Sequence, residues 1–465
     1  MQAARCIRHV AETKDAAMRD VAVIGGGPGG STAANLLAGA GHDVVLFERA
    51  RFPRFHIGES LLPHNMRILT RLGIDGDLNG RFLEKWGVEL ISSDGGLNKV
   101  LRFQESLDPR YPMSFQVLRS EFDDLLLDAA GRRGAEIHQG ATVRSVHQEA
   151  GESWRLKIDD EENGAIECSA RFLIDASGRD GLLGRYFNLR RMDSGQRRAA
   201  LFAHYRNVPR RAGRDAGNIL IVILRDGWFW MIPFLSGLTS VGVVARGSRI
   251  REQETSPEAT LERAIDRCPV ARDLMRGAVR ESPVYATSDW SYDSTRRAGR
   301  TWLLVGDAAA FIDPVFSTGV LLAMSSGELA ADLVHQALRA GRLSRQQQRT
   351  YESTVSGHLN RYRRMVATFY GGAFPRLCFV RESRLGLAEA VLTLLAGEME
   401  PRWRVRWRLE LFYLIAGFFQ RFDSGRSLPL HEVFEQPVRD AGIPPVSMPF
   451  WRTDGHRKTD GDPSL

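Results

Sequence analysis

With 465 residues, 43% hydrophobic and 26% charged, the chain has the make-up of an ordinary globular protein and the length for two or three units around ample cores. Four cysteines, Cys6, Cys168, Cys268 and Cys378, form no C-x-x-C pair; no zinc site or disulfide framework can be read from them, which fits a reducing cytoplasm. The net charge of +7 comes mainly from arginines spread along the chain, with clusters at 206–214 and 402–408; without a nucleic-acid module they read as solvated surface, suited at most to an acidic protein partner.

Residues 1–18 mix charges without an apolar core of signal-peptide length and read as a disordered leader. A β-branched strand, Val21 to Ile24, then breaks into Gly25, Gly27 and Gly30 ahead of a helix of small residues. This is G-x-G-x-x-G between strand and helix, where the glycines allow a tight turn, backbone approach to a pyrophosphate and close packing. The helix start offers free N–H groups to the phosphates. A second strand, Val44 to Phe47, ends in Glu48, suited to hold ribose hydroxyls. A loop through Pro53 follows, and Glu59 and Ser60 are expected to begin an amphipathic helix. Strands are expected at 85–92 and 99–103, a helix with a glycine stop at 117–134, and a meander from Glu136 to Ile174. Further strands include NILIVIL and GWFWMIPF; helix is expected at 256–278, strands near 283–287 and 302–305, and helix from Ala308 to about Phe422. LELFYLIAGFF (409–419) is too short to span a bilayer and reads as a buried cap helix paired with LAEAVLTLLAG rather than a membrane contact. The last forty or so residues read as a surface tail.

Two more stretches narrow the nucleotide to a flavin. FLIDASGRDGLLGR ends a buried strand at Asp175 before a small-residue turn, and WLLVGDAAAFIDPVFSTG places Asp307 between a strand and a helix start. In order, and with Glu48 and Arg119, the three motifs resemble the FAD-binding fold of the p-hydroxybenzoate hydroxylase type over roughly residues 19–345. The resemblance implies that Gly25, Gly27, Gly30, Glu48, Arg119, Asp175 and Asp307 contact FAD. The implied architecture is α/β: an FAD-binding Rossmann-like domain (19–185 and 296–345), an inserted β-sheet substrate domain (186–295, with strands near 85–118) and a helical C-terminal cap and tail (346–465).

FPRFHIGESLLP, W-x-W-x-I-P at Trp228 to Pro233, and F-x-x-P-x-x-S-x-G at Phe311 to Gly319 resemble flavin-dependent halogenases. Strand alternation puts Trp228 and Trp230 on one face, as two core residues would also lie. The resemblance implies that they stand near the flavin and, with Pro314 and Phe316, partition it from a substrate chamber. In the same bend, with Gly319 expected to permit an unusual backbone, the N–H groups of Thr318 and Gly319 can converge on chloride; an ordinary N-cap by Ser317 or Thr318 is compatible with that. Halide there would lie where it could attack a flavin hydroperoxide. The family's lysine, which holds hypohalous acid by hydrogen bond or as a chloramine, corresponds to Lys85; Lys99 is the weaker candidate, and no metal is implied.

Phe316 stands where tryptophan halogenases carry a glutamate, which points to the branch acting on phenols or pyrroles. The expected function is halogenation, chlorination first, of an electron-rich ring, free or tethered to an acyl-carrier protein. It uses FAD as FADH2 from a separate flavin reductase, since no NAD(P)H domain is found. The rivals are an aromatic hydroxylase of the same fold, a flavin reductase or dehydrogenase, and a non-catalytic flavoprotein scaffold. Halide dependence separates the first two; product formed from supplied FADH2 excludes the last.

Overall fold

A computed structural model describes residues 18–192, 198–252, 255–288, 290–378, 384–422, 430 and 433–434; the expected leader up to residue 17 and nearly all of the tail lie outside them. The protein is α/β and built around two sheets. In the first, Arg19–Ile24 runs parallel to Val44–Glu48 on one side and to the end of the long strand Gly164–Asp175 on the other. Glu136–Gln139 extends this sheet beyond Val44–Glu48, and Trp302–Leu304 pairs in parallel with the end of Gly164–Asp175. The first half of that strand turns antiparallel pairing toward Trp154–Asp160 and Ala141–Gln148. Continuous β-branched and aliphatic runs such as VAVI and VVLF suit central strands covered on both faces.

Helices Pro28–Gly39 and Gly319–Ala337 lie together against this sheet. A side chain at Gly327 would put its Cβ 2.3 Å from the Gly29 carbonyl oxygen, so glycine is what lets the two axes approach. The second sheet runs Arg198–Arg206, Thr239–Arg246, Gly227–Pro233, Ile219–Ile223, Gly87–Ser92 and Asn98–Arg102. Only the contact between Ile219–Ile223 and Gly87–Ser92 is parallel along that path, and it ties an early segment into the later sheet. Trp228 and Trp230 belong to the main core, whereas Phe229 and Met231 face the core beneath the helices Pro257–Arg267 and Pro269–Leu274. The expected alternation is therefore present.

The long helix Arg345–Tyr370 opens on a capping box, with Ser344 and Gln347 satisfying each other's backbone. Leu387–Leu395 and Trp403–Phe422 complete the described C-terminal part. Two expectations are corrected. The helix expected to start at Glu59 and Ser60 begins at Asn65, because the Glu59 carbonyl and Leu61 N–H pair instead with Val117 and Phe115. The cap helix is buried on one side only: it reaches back to Trp403 and leaves Trp403, Leu414 and Phe418 more than half exposed. No helix among the described residues is long and apolar enough to cross a membrane.

Candidate active site

The first strand ends at Ile24 and turns at Gly25, whose φ of 102° is open to glycine and strained for other residues. A Cβ there would meet the Ala176 carbonyl oxygen at 2.3 Å, and one on Gly30 would meet the Gly25 carbonyl oxygen at 1.9 Å. Gly27 is different. It is the N-cap of the first helix, and a Cβ on it would find only Arg54 Nη2, 3.7 Å away. Gly25 and Gly30 thus close the strand–helix junction, while Gly27 keeps the space in front of the helix N-terminus clear for a pyrophosphate.

Glu48 is buried beside this turn and accepts from the backbone of Gly26 at 2.6 Å and Ala50 at 3.0 Å. Two backbone donors orient the carboxylate and leave lone pairs for ribose hydroxyls. Arg54, which sequence reasoning passed over, lies 3.8 Å from Glu48 and over the Phe52 ring, and supplies positive charge at the helix start. The only sequence signal was a basic residue two positions before the G-E-S turn's histidine. Arg119 is buried and clamps the neighbouring loop: it donates to both Asp123 oxygens at 2.7 and 2.8 Å and to the Ile57 carbonyl at 2.7 Å.

Asp307 sits at the strand end, with no side-chain hydrogen bond among the described residues. Burial raises its carboxyl to about 6, against the opposing pull of Arg119, Arg179 and Arg190. Its carboxylate is available to a cofactor hydroxyl. Asp175, which the resemblance implied as a cofactor contact, is tied into the turn beside the nucleotide fingerprint. It accepts from Ser177 N at 3.0 Å, Ser177 Oγ at 2.5 Å and Leu183 N at 2.6 Å, so it shapes the turn against which Gly25 packs. Together the open face at Gly27, the oriented Glu48 and the unengaged Asp307 fit an FAD.

Lys85 lies at the end of the short strand Leu83–Lys85, opposite Ser114. The G-E-S segment runs along the other edge of Ser114–Gln116, through the bridge between Ser60 and Gln116. That pairing delivers two acceptors to the ammonium: Ser60 Oγ at 2.8 Å and the Leu61 carbonyl at 2.9 Å. Lys85 is 0% exposed, has no carboxylate partner among the described residues and stands over the Phe103 ring, its Nζ 5.4 Å from the centroid. Burial alone pulls its pKa to about 7. Lys99 is on the outer strand Asn98–Arg102 and only partly buried. Glu59, next to Ser60, is 1% exposed and bonded through one oxygen to His204 Nε2 at 2.7 Å; its other oxygen has no partner among the described residues.

The bend from Asp313 to Gly319 is a single 3₁₀ turn, Pro314–Phe316, capped by Asp313 through Val315 N at 3.0 Å. The unusual backbone expected at Gly319 falls on Ser317 instead, at φ 56°, and Gly319 is an ordinary first helical residue. Thr318 occupies the N-cap position but makes no side-chain cap bond, so the first N–H groups of the helix stay open to an anion. Phe316 packs against Phe369 and Phe374, and no carboxylate stands at its position. A chain of hydrogen bonds ties this bend to the indoles: Trp228 Nε1 donates to Tyr370 Oη at 3.0 Å, and Tyr370 lies 3.1 Å from both Asp313 oxygens. Trp230 Nε1 donates to Ser240 Oγ at 3.1 Å, and the two indoles are 5.7 Å apart. Tyr370 and Asp313 were not picked out from the sequence, because nothing local links them.

Residues 18–358 match the FAD binding domain family. The chain is 33% identical over 359 residues to a tryptophan 2-halogenase of Chondromyces crocatus, covering 75% of this chain and 67% of that protein. It is 28% identical over 407 residues to the 1H-pyrrole-2-carbonyl-[peptidyl-carrier protein] chlorinase of Pseudomonas fluorescens, covering 82% and 89%. Among solved structures, the flavin-dependent brominase Bmp2 is similar with a TM-score of 0.77 and 26% identity, over 87% of this chain and 99% of that one.

Proposed function

We propose that this chain, which belongs to the flavin-dependent halogenases, chlorinates an electron-rich phenol or pyrrole ring, free or carried on an acyl-carrier protein. The observation that carries the reading is Lys85: a fully buried amine, without a counter-ion among the described residues, anchored by Ser60 and Leu61. A surface or purely structural lysine has no reason to bear that desolvation.

Reduced FAD from a separate reductase would supply, with oxygen, the oxidising equivalents that turn halide into an electrophilic halogen. The residues do the rest. Gly27, Glu48 and Asp307 hold and orient the cofactor, and the N–H groups of Thr318 and Gly319 seat the halide. Trp228, Trp230, Pro314 and Phe316 wall that seat from the ring substrate. Near pH 7 Lys85 is shared between two forms. The ammonium can hold hypohalous acid by donating to its oxygen; the neutral amine can form an N–halogen bond and release water. Either way the oxidant is kept from bulk water and handed to one ring position. A phenol or pyrrole stabilises the cationic ring with its own heteroatom lone pair, so the missing carboxylate at Phe316 is no obstacle. The net reaction consumes ring, halide, oxygen, reduced flavin and a proton, and yields halogenated ring, oxidised flavin and two waters.

The test supplies protein, FAD, a generic flavin reductase, NADH, oxygen and chloride or bromide to phenols, indoles, pyrroles and carrier-bound aromatic acids. Products with halogen isotope doublets support the reading; hydroxylated products independent of halide refute it.

A further inference from the structure

The last helix, Trp403–Phe422, carries two apolar faces. One is packed on the protein: Val405, Leu409, Phe412 and Ala416 are buried. The other points outward. Trp403, Trp407, Leu414 and Phe418 are 69%, 39%, 71% and 61% exposed, with the partly buried Leu411 between them. Steps of three or four residues keep this row on one side of the helix, opposite the packed face. From residue 403 to residue 418 it runs about 22 Å at the helical rise. Single exposed apolar side chains are ordinary, but a continuous row of large ones marks a surface that meets something other than water. Arg408 Nε donates to the Leu385 carbonyl at 2.7 Å, which holds a further exposed leucine beside the helix.

Positive charge frames the row. Arg402, Arg404, Arg406, Arg408 and Arg421 belong to the same segment, and none has an ion pair among the described residues. Glu410, the acidic residue of the helix, pairs with Arg364 at 2.7 Å and does not neutralise them. Arg404 and Arg408 lie over the rings of Trp403 and Trp407, 5.7 and 4.4 Å from the centroids, so cations sit beside both indoles. A second copy of the chain would set these arginines against its own. The chain beyond the helix is drawn elsewhere: Val433 and Phe434 are buried in the core beneath Pro257–Arg267, where Arg267 Nη1 donates to the Val433 carbonyl at 3.3 Å. A folded acidic partner would need a groove to receive a convex ridge. A flat anionic surface meets such a ridge along its whole length, and tryptophan suits the boundary because its ring is apolar and its Nε1 polar.

We propose that this helix docks the protein on an anionic lipid surface. It lies in the plane of the headgroups, with Trp403, Trp407, Leu414 and Phe418 entering the acyl boundary and the arginines against the lipid phosphates. The contact is peripheral, since no helix among the described residues is long and apolar enough to cross a membrane. The apolar row binds any bilayer weakly; the arginines add an attraction that grows with anionic lipid and is screened by salt. The docking surface stands apart from the halogenation chemistry, because none of its residues belongs to the cofactor site or to the surroundings of Lys85.

The test is flotation of the FAD-loaded protein with vesicles of phosphatidylcholine alone and of equal parts phosphatidylcholine and phosphatidylglycerol. The mixed vesicles should bind at least about tenfold more tightly, by an advantage that shrinks with added salt. Arg404→Gln/Arg406→Gln should cut that advantage to about threefold or less, with binding to phosphatidylcholine unchanged. Leu414→Ser/Phe418→Ser should weaken binding to both vesicles by about tenfold or more. All four positions are exposed, so both variants should keep the flavin content and thermal stability of the wild type, which separates lost docking from lost folding. Acyl chains labelled with bromine should quench tryptophan emission in the wild type and quench it less in Trp403→Phe/Trp407→Phe. Failure to float with the mixed vesicles, binding that both double variants leave untouched, or absence of quenching would overturn the proposal. Polyglutamate binding as tight as vesicle binding and indifferent to Leu414→Ser/Phe418→Ser would overturn it by giving the arginines to an acidic protein. A dimer that Leu414→Ser/Phe418→Ser dissolves would overturn it by giving the row to a second copy.

Discussion

Lys85→Met is expected to end product formation without destabilising the protein at neutral pH. Burial lowers the amine from its ordinary 10.5 to about 7. Through proton linkage this amounts to an upper bound of roughly 5 kcal/mol that the wild type forgoes below pH 7. The sign follows from proton counts. Between pH 7 and 10.5 the unfolded chain holds a proton on this amine that the folded chain does not, so wild-type stability rises with pH through that window. Methionine keeps the volume and removes the charge, but it leaves Ser60 Oγ and the Leu61 carbonyl short of a donor, at about 1–3 kcal/mol each. The two effects nearly cancel, and the variant should unfold within about 2 kcal/mol of wild type at pH 7. Urea unfolding of both proteins at pH 6 and 9.5 isolates the charge effect: wild type should gain about 3 kcal/mol on the variant across that interval. Parallel stabilities at the two pH values would show that the amine does not titrate near 7. Halogenated product from the variant would remove Lys85 from the chemistry, whatever its stability.

Other substitutions separate cofactor binding, folding and halide seating. Gly27→Ala should fold, since its Cβ meets only Arg54 Nη2 at 3.7 Å, yet bind FAD poorly by flavin fluorescence. Gly30→Ala should fail to accumulate as folded protein, because its Cβ would lie 1.9 Å from a backbone oxygen. Asp307→Asn should weaken FAD binding by about tenfold; unchanged affinity would place the carboxylate away from the cofactor. In the bend from Asp313 to Gly319, Ser317→Val should lower stability by about 1–2 kcal/mol, since a β-branched residue must take a left-handed backbone, and, on the proposed halide seat, should raise the halide KM. Gly319→Ala should leave thermal stability nearly unchanged, its Cβ only reaching Phe311 Cε2 at 3.4 Å. The reverse order of effects would return the strained position to Gly319.

What the sequence carried well was information confined to one strand–turn–helix unit. The glycine spacing, the strand that ends in Glu48 and the alternation of Trp228 with Phe229 are each settled by neighbours a few residues away, and each lies where its pattern put it. What it carried poorly depends on partners far along the chain. Glu59 to Leu61 has helical periodicity, but its backbone bonds go to residues near 116, and a long-range ladder overrides local propensity. In the bend from Asp313 to Gly319 glycine is the usual choice for a left-handed residue. Asp313 caps Val315 and is fixed by Tyr370 from the long helix, so the turn closes two residues early, on Ser317. Lys85 shows the same limit in its chemistry. Its neighbours in sequence, Glu84 and Trp86, bond to each other and would suit a lysine on the surface. The environment that lowers its pKa comes from three separate segments, around Ser60, Phe103 and Ser114, which meet only in the fold. The protonation of this lysine is therefore set by what assembles around it, and substitutions at Ser60 or Phe103 should shift its pKa.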